Sequence, residues 1–208
     1  MTESKPKWNR RKDARPAEIV DAAIELFIEH GFAAAKLSDV AKRAGVAKGT
    51  LYIYFETKED LFRAAARQAL GPNLEAVEQA SAHCDGDLNE LVPMLLKRAA
   101  NRLGDGRIPG IARMVLAESR RFPDLAQIWH DEVVSKVLTF LTGLISKAQD
   151  RGQVRDGDPA LFAMSIVGPV MLGLIFREVF GDGRPHASDL DALAEQHAAT
   201  VLKGMSKD

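Results

Sequence analysis

Apolar residues recur at i, i+3 and i+4 along almost the whole chain, and Val and Ile nowhere gather into the alternating pattern of a strand. That spacing predicts an all-α protein. Pro16 opens a first helix whose apolar stripe runs through Ile19, Ala23, Leu26, Phe27 and His30, and Gly31 ends it. Two short helices are predicted at about 38–44 and 49–55, then a longer one from Lys58 to Leu70, closed by Gly71-Pro72. Further helices follow at about 73–84, 88–103, 109–120, 123–151, 158–181 and 188–203, about nine or ten in all. Asp87 with Glu90, and Ser188 with Asp191, have the form of N-caps carrying an acid three residues on. Asp158-Pro159 adds a capping acid with proline at the first helical position.

Residues 159–176, PALFAMSIVGPVMLGLIF, contain no charge and approach the length of a membrane span. Gly168 and Pro169 interrupt them, no second such segment occurs, and every other helix is amphipathic. The reading that fits is a helix covered on all sides in a water-soluble protein, one flank by its own core and the other by a second chain. A homodimer through the last two long helices, about 158–181 and 188–203, is therefore expected, with no membrane partner.

The run at 36–62, KLSDVAKRAGVAKGTLYIYFETKEDLF, differs in kind. Leu37, Val40, Ala41 and Ala44 form an apolar stripe on a two-turn helix that Gly45 stops. The next short helix reaches a core only through Leu51 and Phe55. Two short helices joined by a glycine turn make a helix-turn-helix. At 100° per residue, Gly49, Thr50 and Ile53 then point outward, flanked by Tyr52 and Tyr54. A bare glycine and an exposed isoleucine, with no acid between Lys48 and Phe55, suit a major-groove reader better than plain surface. Lys48 can donate to guanine, Ile53 can touch a thymine methyl, and Thr50 and the tyrosine hydroxyls can bond phosphate. The alternative is an outer face covered by another part of the protein. Thr57 has the place of an N-cap with Asp60 at the third helical position, which puts Lys58 in the first turn. A cation there opposes the helix dipole, and a bound phosphate would reverse that cost.

Charge sharpens this division. Net charge over the 208 residues is only -1, yet residues 1–16 hold six bases against two acids, and 36–58 hold five against two. The positive end suits nucleic acid and the acidic remainder something else. The basic arm at 1–15 either follows the DNA backbone or is an unstructured terminus, and the residues leave both readings open. One cysteine, Cys84, excludes a disulfide framework, and with no apolar leader it points to the cytoplasm. The five histidines show no metal spacing, and neither a Gly-rich phosphate loop nor a nucleophile elbow occurs. No enzyme activity, metal or cofactor is expected. Before any likeness is considered, three classes stand: a DNA-binding regulator, a helical adaptor using its apolar C-terminal helices, and an enzyme using a helical cavity.

The run GVAKGTLYIYFETKEDLF, preceded by an amphipathic helix ending HGF, resembles the DNA-binding domain of the TetR family of bacterial regulators over roughly residues 15–64. The resemblance implies a three-helix DNA-binding domain, a larger C-terminal helical bundle that binds a ligand, and dimerisation through the last two long helices. It also implies base contacts from Ser38, Lys48, Gly49 and Tyr52, and phosphate contacts from Thr50, Tyr54 and Lys58. Two residues depart from the family pattern. Ala47 stands where a capping serine is usual, and Ile53 stands where histidine is common, so apolar contact replaces a hydrogen bond. The expected layout is an arm at 1–15, a DNA-binding domain at 16–64 and a ligand-binding and dimerisation domain at 65–208. The expected function is a repressor that binds a palindromic operator and is released by a small, largely apolar effector. Met94, Met114, Trp129 and Phe162 are the candidates for lining the effector cavity, because Met adapts to shape and Trp offers an N–H.

Overall fold

The computed structural model describes residues 7–83, 86–103, 107–181, 183, 185 and 189–207. Cys84, His186, Ser188 and residues 1–6 of the arm lie outside them. Ten α-helices run through the described residues: α1 (Lys7–Ala34), α2 (Leu37–Arg43), α3 (Lys48–Tyr54), α4 (Lys58–His83), α5 (Leu88–Leu103), α6 (Arg107–Glu118), α7 (Pro123–Trp129), α8 (Ser135–Asp150), α9 (Pro159–Phe180) and α10 (Leu190–Met205). A π-helical turn, His130–Val134, joins α7 to α8.

Several boundaries differ from the sequence expectation. α1 begins at Lys7 rather than Pro16, so residues 7–15 of the expected arm continue the helix. At Gly31 the backbone turns to φ 78°, ψ 165°, a conformation open essentially to glycine alone, and a last turn resumes to Ala34. α4 does not stop at Gly71-Pro72 but continues to His83. Pro72 removes one N–H, and the half-buried or buried Leu70, Leu74 and Val77 on either side keep the helix on its packing face. The cap of α10 is Asp189, whose carboxylate accepts from the N–H of Asp191 and Ala192. Asp158 caps α9 as expected, accepting from Ala160 N–H at 2.8 Å.

Pro169 sits inside α9 and leaves the Ser165 carbonyl without its usual N–H donor. His197 of α10 fills that vacancy, its Nε2 lying 2.9 Å from the Ser165 oxygen. The proline thus becomes a point of attachment between the last two helices.

Two apolar cores organise the chain. The first joins α1, α2, α3 and the start of α4 to α6 and α7. Its centre is aromatic: Phe32 lies 5.5 Å from Phe27, 6.0 Å from Phe62 and 5.3 Å from Phe122. The second joins α5, α8, α9 and α10, and Val137 touches both. Beside the first core, Glu132 of the π-turn is buried against Arg67 at 2.7 Å, Lys136 at 2.7 Å and Arg63 at 3.6 Å.

α9 is the helix among the described residues that is long and apolar enough to cross a membrane. Ala163, Ile166, Val170 and Leu174 face the second core, and Leu161, Met164, Leu172 and Val179 stand exposed along another side.

Candidate nucleic-acid interface

The turn between α2 and α3 is set by Gly45 at φ 67°. Its N–H donates to the Lys42 carbonyl, and the Val46 N–H donates to Ala41. These two bonds satisfy the end of α2 and swing the chain into α3. Ala47 starts α3 in an extended conformation with no side-chain cap, as the missing serine implies. Leu51 is fully buried and Phe55 nearly so, and they pin α3 on the α1–α4 core.

With those anchors fixed, the other faces are set by helix geometry. Ile53 is 78% exposed and Tyr52 42%. Ser38, Lys48 and Gly49 are exposed, and Thr50 and Tyr54 are half-buried. A Cβ added at Gly49 would meet nothing within 4 Å, so the backbone there is open to close approach. Lys48 Nζ lies 5.7 Å from the Tyr52 ring centroid, which holds the cation on the outer face. Beside the start of α3, a cleft of about 420 Å³ is lined by residues that include Arg15, Glu18, Gly45, Ala47 and Thr50. The structure thus brings together on one surface every expected base-contact residue of α3, with Ser38 on neighbouring α2. Arg43 of α2 ties to α1 through Glu29 at 2.7 Å and Glu25 at 3.7 Å.

Lys58 is the exception. Its ammonium turns inward, donating to the Phe32 carbonyl at 2.6 Å, Ala35 at 3.1 Å and Ala33 at 3.4 Å, and it lies 4.4 Å from the Phe32 ring centroid. Burial pushes its pKa below the ordinary lysine value, with the charges of Glu59 and Glu118 acting the other way. In this DNA-free structure its donors are engaged by backbone carbonyls, which accounts for a cation in a first helical turn. The cap around it holds, with Thr57 Oγ1 accepting from Asp60 N–H and the Asp60 carboxylate accepting from Thr57 N–H.

Of the four residues expected to line an effector cavity, two share one core and two lie outside it. Met114 and Trp129 are buried in the first core, Met94 is exposed on α5, and Phe162 packs beside Gly157 with Arg155 4.9 Å from its ring centroid. Among the described residues, no group of three or more His, Cys, Asp or Glu is placed to hold a metal ion.

Sequence reasoning missed Glu118. Its carboxylate accepts the N–H of Phe32 at 2.9 Å and of Ala33 at 2.8 Å. Nothing local announces such a contact, because its partners stand 86 and 85 residues away.

Comparison with known proteins bears on this surface. Residues 19–65 match the family model described as bacterial regulatory proteins, tetR family. Residues 94–204 match that of the AefR-like transcriptional repressor C-terminal domain. The fatty acid metabolism regulator protein of Bacillus subtilis is 27% identical over 162 residues, 77% of this chain and 82% of that protein. The fatty acid degradation regulator FadR from Bacillus halodurans has a similar structure, with 26% identity and a TM-score of 0.79 over 91% of this chain and 98% of that one. FadR from Bacillus subtilis in complex with stearoyl-CoA is 25% identical, with a TM-score of 0.75 over the same shares.

Proposed function

This chain belongs to the TetR family of bacterial regulatory proteins, ligand-responsive DNA-binding regulators, and from that premise we propose how it works. Two copies bind a palindromic operator and repress transcription, each laying α3 in the major groove. Lys48, Gly49, Tyr52 and Ile53, with Ser38, contact base edges, and Thr50 and Tyr54 contact phosphate. Residues 16–64 carry this reading head, and residues 65–208 take the effector and the partner subunit. The observation that carries the reading is the outer face of α3: exposed, free of acid, and held by two inward anchors.

The second copy docks on α9 and α10. The exposed stripe of Leu161, Met164, Leu172 and Val179 supports this, since an apolar face of that length in water is expected to find a partner. The effector is a long-chain acyl-CoA. Support comes from the relatives named for fatty acid metabolism, one of them bound to stearoyl-CoA. The site of action is the cytoplasm, where the DNA lies, and no catalytic step is required. Effector binding favours a dimer whose reading heads no longer fit both half-sites, by no more than its differential affinity for the two states.

Selection of genomic fragments by the full-length protein tests the DNA reading. It is expected to enrich one palindrome, bound with log K falling against log salt at a slope of roughly -7 if about eight phosphates are contacted. No enriched fragment, or a slope near zero, contradicts it. Titration of the protein on that duplex with stearoyl-CoA, against free CoA as control, tests the effector. Release by the thioester and not by CoA is expected, and release by neither refutes the acyl-CoA assignment.

A further inference from the structure

We propose that Glu118, the last residue of α6, is a positioning residue for the reading helix, so that the DNA-binding unit includes α6 even though α6 lies in the C-terminal part of the sequence. The inference rests on the reading of α3 as the DNA-contacting helix.

The break at Gly31 starts a new helical turn, and the first N–H groups of any helical turn have no partner within it. Those of Phe32 and Ala33 both point at the Glu118 carboxylate. A single carboxylate spanning two successive N–H groups fixes the direction of the turn, which apolar packing of Phe32 alone does not do. Any Cβ at residue 31 would collide with the same carboxylate, so the glycine and the glutamate are fitted to each other.

The other side of that turn belongs to Lys58. Its ammonium holds the Phe32 and Ala35 carbonyls, and Lys58 opens α4 only a few residues after α3 ends. Short contacts therefore join Glu118, the 32–35 turn and Lys58, and from Lys58 a short stretch of chain leads back to α3. α6 is fastened to α1 elsewhere as well. Arg107 meets Asp21 at 2.8 Å, and Arg113 donates to the Ile28 carbonyl at 3.3 Å. Arg113 also donates to Glu178 of α9 at 3.2 Å, next to exposed Val179 and Phe180. α6 is thus fastened both to α9 and to the turn beside α3.

The test titrates the selected duplex and a random duplex of equal length against full-length wild type, Glu118→Ala and Glu118→Gln. Amide exchange at residues 48–54 is followed in the free proteins. Glu118→Ala is expected to lower affinity for the selected duplex about tenfold or more, leave random-duplex affinity within about twofold, and speed exchange along α3. Glu118→Gln keeps one acceptor and is expected to fall between. Unchanged selected-duplex affinity in both variants overturns the proposal, and so does an equal loss on both duplexes, which marks general damage. Should Glu118→Ala not fold, Glu118→Gln decides by the same two ratios. A wild type that selects no duplex defeats the DNA reading itself and is told apart by its own titration.

Discussion

Single residues here have their roles assigned by what lies behind them. Leu51 and Phe55 were legible as anchors because one turn separates them, and the bare Ile53 followed from that geometry. The carbonyl partners of Lys58 were not legible, because Phe32 and Ala35 lie at and just past the end of α1 and only the fold brings them within reach. Removing its ammonium leaves those carbonyls without their donor. Lys58→Met is expected to destabilise the protein by about 2 kcal/mol, to lower Tm, and to weaken binding to the selected duplex more than to a random one, because it loosens the turn beside α3. Thermal unfolding and duplex titration check both parts. Glu132 offers a test by pH. Its bond to Arg67, aided by Lys136, holds its carboxyl at about 2, far below the ordinary 4.5. A carboxylate depressed in the folded state stabilises above its unfolded pKa and loses that contribution as pH falls through the folded one. Glu132→Gln is therefore expected to cost at most about 3 kcal/mol at pH 7, the gap closing between pH 4.5 and 2. A gap that stays constant over that window contradicts the assignment, and paired denaturation curves measure it.

Among the elements, type and approximate place were readable from spacing and caps, whereas continuity was not. Gly71-Pro72 reads as a stop, yet α4 runs through it because packing on both sides outweighs one missing hydrogen bond. Pro169 likewise reads as an interruption, and the structure answers it with His197, a residue of the next helix. The π-turn at His130–Val134 left no mark in the apolar period, which continues across it. At Gly31 the sequence signal was right about the break and silent about its partner. Alanine at that position meets both an unfavourable backbone conformation and the Glu118 carboxylate. Gly31→Ala is expected to lose about 1–3 kcal/mol, more than an ordinary helix-end glycine, as chemical denaturation reads directly.

Across the whole molecule, the chain divides by core rather than by order along the sequence. α6 and α7 come after residue 65 but complete the core under the reading head, while α5, α8, α9 and α10 make another. No local pattern reveals which helix serves which core, and for the same reason the burial of Met114 and Trp129 in the first core was not legible. The uncharged stretch of α9 was legible, and its exposed stripe supports the same partner the sequence suggested. Leu172 is 69% exposed there. Leu172→Glu is expected to halve the molar mass measured by sedimentation while the monomer keeps its helix content, and a mass unchanged from wild type argues for another interface. The central claim, that the outer face of α3 meets DNA, is tested most directly at Gly49. Nothing lies within 4 Å of a Cβ added there, so the fold leaves room for a side chain to start, while a carboxylate would confront the phosphates. Gly49→Glu is expected to weaken binding to the selected duplex at least about a hundredfold with Tm unchanged or raised. Undiminished affinity in that folded variant would show that α3 is not the surface this protein turns toward DNA.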